Sequence, residues 1–109
     1  MVNITLQGQE YSARLDFATI GKIQTELSKV GLTLKLKQIF EEIEKENFAV
    51  VTEVVVQSIL RCHPKLKRHH IEDKLDLDEL VNALTFVAEL VQASITVDEG
   101  KPKEEIIPQ

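Results

Sequence analysis

The change of apolar period near residue 15 constrains this chain more than any other feature. Residues 2–6 and 11–15 alternate apolar and polar side chains, with Gln7, Gly8, Gln9 and Glu10 between them. Alternation is the strand period, and glycine supplies the positive φ of a tight turn, so the segment predicts a β-hairpin. Val2, Ile4 and Leu6 share one face, as do Tyr11, Ala13 and Leu15. An isolated hairpin is marginal in water, so this one must lie on helices or pair with another copy.

Beyond Asp16, an N-cap residue, the period is helical. Phe17, Ile20, Ile23, Leu27 and Val30 mark one face of a helix over 17–30, with Gly31 just past its end. Leu36, Ile39, Phe40 and Ile43 mark a short amphipathic helix over 34–46, whose Glu41, Glu42, Glu44 and Glu46 read as a solvated face. Asn47 can stop it and cap the next. Residues 48–61 hold Val50, Val51, Val54, Val55, Val56, Ile59 and Leu60. β-branched density favours a strand there, but the length and the paired spacing favour a buried helix, ended by Pro64. Residues 62–70 read as a basic loop, and Ile71–Leu75 as a short helical turn. Asp76 followed by Glu79 is an N-terminal capping pattern. It opens the longest apolar face, Leu77, Leu80, Val81, Leu84, Val87, Ala88, Val91 and Ile95, on a helix over 77–95. The reading is therefore mainly α with an N-terminal β-hairpin (α+β), about four helices in a single domain over 1–97. A mobile acidic tail is expected over 98–109, with Gly100, Pro102 and a small apolar patch at Ile106 and Ile107.

Charge narrows the function. The net charge is −5, but residues 61–75 carry 5 basic and 2 acidic side chains while residues 76–109 carry 2 basic and 8 acidic. An acidic whole argues against nucleic acid as the general partner. The exception is the basic patch Arg61, Lys65, Lys67 and Arg68, on which a small DNA-associated regulator could be built. It has no interleaved aromatic residues. A lone cysteine forms no internal disulfide, no apolar run reaches a bilayer-spanning length, and no secretory leader is visible, so the expected compartment is the cytoplasm.

Cys62, His63, His69 and His70 are the one group of metal-ligating types. Their spacing fits a zinc site poorly, and Lys65, Lys67 and Arg68 beside them repel a cation. Cys62 next to His63 suggests a thiol nucleophile, but no motif provides an oxyanion hole or an orienting third group. These four residues are expected to be polar loop positions after a helix, whose replacement by alanine leaves folding and activity nearly intact. No phosphate loop, H-E-x-x-H or nucleophile elbow is present. The expectation is a protein that is not an enzyme and takes no cofactor or metal.

The order of parts resembles the tail assembly chaperones of long-tailed bacteriophages and related gene transfer agents. The resemblance covers residues 2–95. It rests on the glycine-turned hairpin with a Tyr11 strand, the helix closing on Glu26 to Gly31, and the buried helix closing on Leu60, Arg61, Cys62, His63 and Pro64. Thr25-Glu26-Leu27 lacks the second acidic residue often seen in that family. The resemblance implies a non-enzymatic role in host cytoplasm, for a phage or prophage: binding the tape measure protein and keeping it soluble while the tail tube assembles. It also implies a C-terminal extension, made by frameshifting in many members, that contacts the tail tube protein. A chaperone of this kind needs apolar surface for partner helices. Ile4, Tyr11, Leu84 and Val91 are candidates for self-association or partner capture in addition to core packing. Phe86 and Leu90, off the main stripe of the last helix, are expected to be surplus apolar surface. A generic helical protein-interaction module is the coarser alternative.

Overall fold

A computed structural model describes the backbone of residues 2–100 and the side chains of residues 2–94. The hairpin forms as expected. Strands β1 (Val2–Leu6) and β2 (Gln9–Ala13) pair antiparallel, with Ile4 opposite Tyr11. Their two-residue turn places Gln7 at φ 49° and Gly8 at φ 85°, the doubly left-handed turn that matches strand twist. Ile4, Leu6, Tyr11 and Ala13 are buried on the inner face.

Five α-helices follow among the described residues. Helix α1 (Phe17–Ser28) is capped by Asp16, whose carboxylate accepts from the Thr19 backbone N–H at 2.9 Å and the Thr19 hydroxyl at 2.8 Å. It ends earlier than the apolar pattern suggested. Gly31 takes φ 88°, and Leu32 N–H donates to the Leu27 carbonyl, so the chain turns away before Val30 can continue the helix. Only the middle of the expected face, Ile23 and Leu27, is buried. Helix α2 (Leu36–Glu44) buries Ile39 and leads through Glu46, at φ 59°, to Asn47.

Helix α3 (Phe48–Cys62) resolves the competition between β-branched density and length in favour of the helix. Asn47 caps it by accepting from the Ala49 N–H at 3.1 Å. Val50, Val51, Val54, Val55, Val56 and Ile59 are all buried, because α3 is the central element, packed by α1, α2, β2, α4 and α5. A helix apolar nearly all round is the kind that sits inside a domain.

The next stretch differs from expectation. Helix α4 (Arg68–Glu72) begins inside the segment read as a basic loop. His70 Nδ1 accepts the Lys67 backbone N–H at 2.9 Å, which satisfies a donor at the helix start. Ile71 packs inward from it. A single 3₁₀ turn (Leu77–Glu79) then leads into α5 (Leu80–Gly100), which runs past the expected stop at residue 95. The remainder of the expected acidic tail, 101–109, lies outside the described residues. The capping pattern at Asp76 and Glu79 is used differently, since Asp76 makes no side-chain cap. Asp76 Oδ2 accepts from Gln7 Nε2 at 2.9 Å, and Glu79 Oε2 accepts from the Gln7 backbone N–H at 3.0 Å. These carboxylates clamp the hairpin turn to the start of the last helix.

Each outer edge of the sheet is hydrogen-bonded to another part of the chain. On the β2 side, Ser12 N–H donates to His63 Nε2 at 3.1 Å and Arg14 N–H to the Ser58 carbonyl at 3.0 Å. On the β1 side, Asn82 Nδ2 donates to the Thr5 carbonyl at 2.7 Å. Exposed strand edges invite pairing with other chains, and these bonds take up part of each edge here. No described helix is long and apolar enough to cross a membrane.

Candidate interaction surface

The charged residues that could carry chemistry are largely engaged with one another. Arg61, in the last turn of α3, donates from Nε and Nη2 to Asp16 at 3.1 and 3.0 Å, and Arg14 joins the same carboxylate at 3.1 Å. Partial burial disfavours the ionised Asp16. The Thr19 hydrogen bonds and the Arg61 charge outweigh it and hold the carboxyl below the usual aspartate range. This pairing joins the start of α1 to the end of α3, so the two packed helices run antiparallel.

Arg68 is engaged still more deeply. Its guanidinium meets Glu53 of α3 in a two-pronged pair, with Nη2 to Oε1 at 2.9 Å and Nη1 to Oε2, and its Nε reaches Glu72 at 2.7 Å. Glu53 is 3% exposed. A fork-to-fork pair is what makes a buried carboxylate tolerable in an apolar helix. Of the basic patch, then, Arg61 and Arg68 are committed to internal carboxylates, while Lys65 and Lys67 face solvent.

The cysteine and histidines do not converge. Among the described residues no group of three His, Cys, Asp or Glu side chains is placed to hold a metal ion. His63 and His70 each use a ring nitrogen to accept a backbone N–H. His63 also stands edge-on to Tyr11, ring centroids 5.8 Å apart. It is therefore a structural tie between α3 and β2, not the dispensable loop residue expected from its surroundings in sequence. Replacing it leaves the half-buried Ser12 N–H without its acceptor.

The predicted interaction residues fall into two groups. Ile4, Tyr11, Phe86 and Leu90 are buried in the core of a single chain. Leu84 and Val91 are half-buried beside it. Phe86 and Leu90 are thus not surplus surface. They share the inward face of α5 with Ala83 and Val87, packed against β1 and α3. Of the stripe read as the core face, Val87 is buried, Leu80, Leu84 and Val91 are half-buried, and the rest of its described residues turn outward. Leu77 is 84% exposed and Val81 75%, and Ala88 is exposed along the same line. The reason is that α5 is apolar on two faces. Periodicity marks both, but it does not say which one the hairpin and α3 will cover.

Large apolar side chains also stand in solvent elsewhere. Phe17, at the first position of α1, is 96% exposed. Val30, just past the end of α1, and Leu36 and Phe48, the first residues of α2 and α3, are also exposed. Phe17, Val30 and Leu36 each looked like an ordinary member of a helical stripe, and Phe48 was not singled out, so none of the four was expected at the surface. Compared with known proteins, the chain matches no family model, no curated protein and no solved structure.

Proposed function

We propose that this chain is a non-enzymatic holding protein of the phage tail assembly chaperone kind. It binds apolar helical segments of a tape measure protein in the host cytoplasm and keeps them soluble during tail tube assembly. The observation that carries this reading is the set of large apolar side chains left in water: Phe17, Val30, Leu36, Phe48, Leu77 and Val81. Exposed apolar side chains are common one at a time, but a nearly naked Phe17 at 96% contributes little to this fold. Such groups suit the capture of amphipathic partner helices. An acidic chain of net charge −5 keeps a complex with an apolar partner dispersed. The tail tube protein, reached through a frameshift extension joined in the segment after Val97, is the second expected partner.

The arginine pairing weighs against the DNA-regulator alternative, because two of the four patch cations are spent on Asp16 and Glu53. The test is co-expression with a tape measure fragment, alone, with the wild-type chain, and with a Phe17→Ser/Phe48→Ser variant. The wild-type chain is expected to raise the soluble yield of the fragment, and the variant to lose much of that effect while staying folded. Equal soluble yield with and without the chain overturns the proposal. A salt-sensitive shift of duplex DNA by the wild-type chain would favour the DNA-regulator alternative.

A further inference from the structure

All the histidines of this chain, His63, His69 and His70, fall within one short segment, and two of them accept a hydrogen bond from a backbone N–H. A ring nitrogen that accepts must carry its lone pair, so each of these bonds requires a neutral imidazole. The two sites differ in their access to water. His70 is exposed, and solvent can replace its Nδ1 as the acceptor for the Lys67 N–H. His63 and Ser12 are half-buried at the junction of α3 and β2. The His63 backbone is held on both sides: its N–H donates to the Ile59 carbonyl at 3.0 Å, and its carbonyl accepts from the Leu66 N–H at 3.0 Å. The ring is therefore the part that can respond to a change of charge. It makes two contacts with β2. Its Nε2 accepts the Ser12 N–H at 3.1 Å, and it stands edge-on to Tyr11 with centroids 5.8 Å apart.

We infer that His63 is a proton-sensitive latch for the hairpin, closed while its imidazole is neutral and opened when the ring takes up a proton. Protonation turns Nε2 from acceptor into donor, so two N–H groups then point at each other across 3.1 Å. The ring must swing away, and the Tyr11 contact goes with it. The β2 strand is then left to the Arg14 N–H on the Ser58 carbonyl and to the packing of Tyr11 and Ala13. The surroundings do little to compensate the added charge. No ion pair among the described residues includes His63. At the start of α1, Asp16 already meets Arg61 of α3 and Arg14 just past β2. Beside Tyr11 on β2, Glu10 is exposed, and on α3 the preceding Cys62 is half-buried. Lys65 and Lys67, in the following loop, are cations themselves. On α4, Arg68 is bound to Glu53 and Glu72, and the His69 and His70 rings lean on each other at 4.3 Å. Glu89, the one ionisable side chain of α5 between Leu80 and Ser94, is exposed. Folding thus selects the neutral ring, whereas the unfolded chain takes up the proton freely. The latch therefore adds stability above the ordinary imidazole range, and that stability is lost as pH falls through it. This inference stands apart from tape measure binding and holds whether or not that partner is correct.

The test is nuclear magnetic resonance on the isotope-labelled full chain, stepped from about pH 7.5 to about pH 5.5, where imidazoles ordinarily titrate and carboxylates stay ionised. At the upper pH the Ser12 amide nitrogen and His63 Nε2 should show a scalar coupling through their hydrogen bond. At the lower pH that coupling should vanish, and the Ser12 amide should exchange faster with solvent, although acid slows the exchange of free amides. Urea unfolding gives a second reading, in which the wild-type midpoint should fall by about 0.5 M over the same range. His63→Gln keeps an acceptor oxygen near the Nε2 position but does not titrate, so it should lose most of that fall. His70→Gln should keep it. A coupling absent at the upper pH, or one that persists at the lower, overturns the proposal. So does a His63→Gln variant whose midpoint falls as far as wild type, or a His70→Gln variant that abolishes the fall. The coupling is read on the wild-type chain, so it decides the matter even if His63→Gln does not fold.

Discussion

Replacing Arg68 with leucine should damage this protein far more than replacing its partner. The Glu53 side chain is 4% exposed, whereas that of Arg68 is 40% exposed. Arg68→Leu leaves a carboxylate inside the domain with neither of its two guanidinium hydrogen bonds. Breaking a buried pair from one side costs about 3–5 kcal/mol. The half-exposed guanidinium places this pair lower, at about 2–3 kcal/mol, because water already screens part of it. Loss of the exposed Glu72 contact adds only about 0.3–0.5 kcal/mol. Glu53→Leu leaves an arginine that can turn into solvent, and its cost should be under about 1 kcal/mol. The double variant Glu53→Leu/Arg68→Leu should return to within about 1 kcal/mol of wild type. Urea unfolding followed by circular dichroism reads this directly. At about 2 kcal/mol per molar urea, Arg68→Leu should lower the midpoint by about 1 M. An Arg68→Leu variant no less stable than Glu53→Leu would refute the reasoning, since it would mean the carboxylate is not held by this pair.

Asp16→Asn should cost up to about 1 kcal/mol at neutral pH, through loss of the charge that Arg61 and Arg14 pair with, since asparagine caps a helix about as well as aspartate. The folded carboxyl lies below the ordinary value of 3.8, so its contribution is present above that value and lost as pH falls through the folded pKa. Wild type should therefore lose its advantage over Asp16→Asn below about pH 4, and a constant difference down to low pH would contradict this. Glu46→Gly should raise stability by about 0.5–1 kcal/mol in thermal unfolding, because Glu46 sits at φ 59°, where a side chain is strained; a fall in stability would refute it. Phe86→Ala should cost about 3–5 kcal/mol, whereas Val81→Ala should shift stability by under about 0.5 kcal/mol. Similar losses in chemical denaturation would reverse the assignment of faces on α5.

Local rules made the hairpin and the helix caps legible. Gly8 between two alternating segments, Asp16 before α1 and Asn47 before α3 each act through neighbours a few residues away, and each was found where expected. Features set by distant parts of the chain were not legible. Asp76 and Glu79 match a capping pattern, yet they bind Gln7 some seventy positions earlier. Nothing in the valine-rich helix singled out Glu53, and Arg68 read as a loop cation, until α4 brought them together. His63 gave no signal of its own, because its partner is a backbone N–H on β2. The last helix was the hardest to read. Apolar residues lie on two sides of it, and only the docking of β1 and α3 decides that Phe86 and Leu90 are core while Val81 and Ala88 are surface.

The central claim is that this chain acts by offering apolar side chains to a protein partner, and the salt dependence of binding tests it most directly. A labelled tape measure fragment titrated with the chain at low and high ionic strength separates apolar capture from charge attraction. Apolar contacts survive salt that screens exposed charges. The account predicts saturable binding whose affinity is unchanged or strengthened at high salt, and which falls at least tenfold on Phe17→Ser/Phe48→Ser. Binding that collapses with added salt and ignores those two phenylalanines would contradict it.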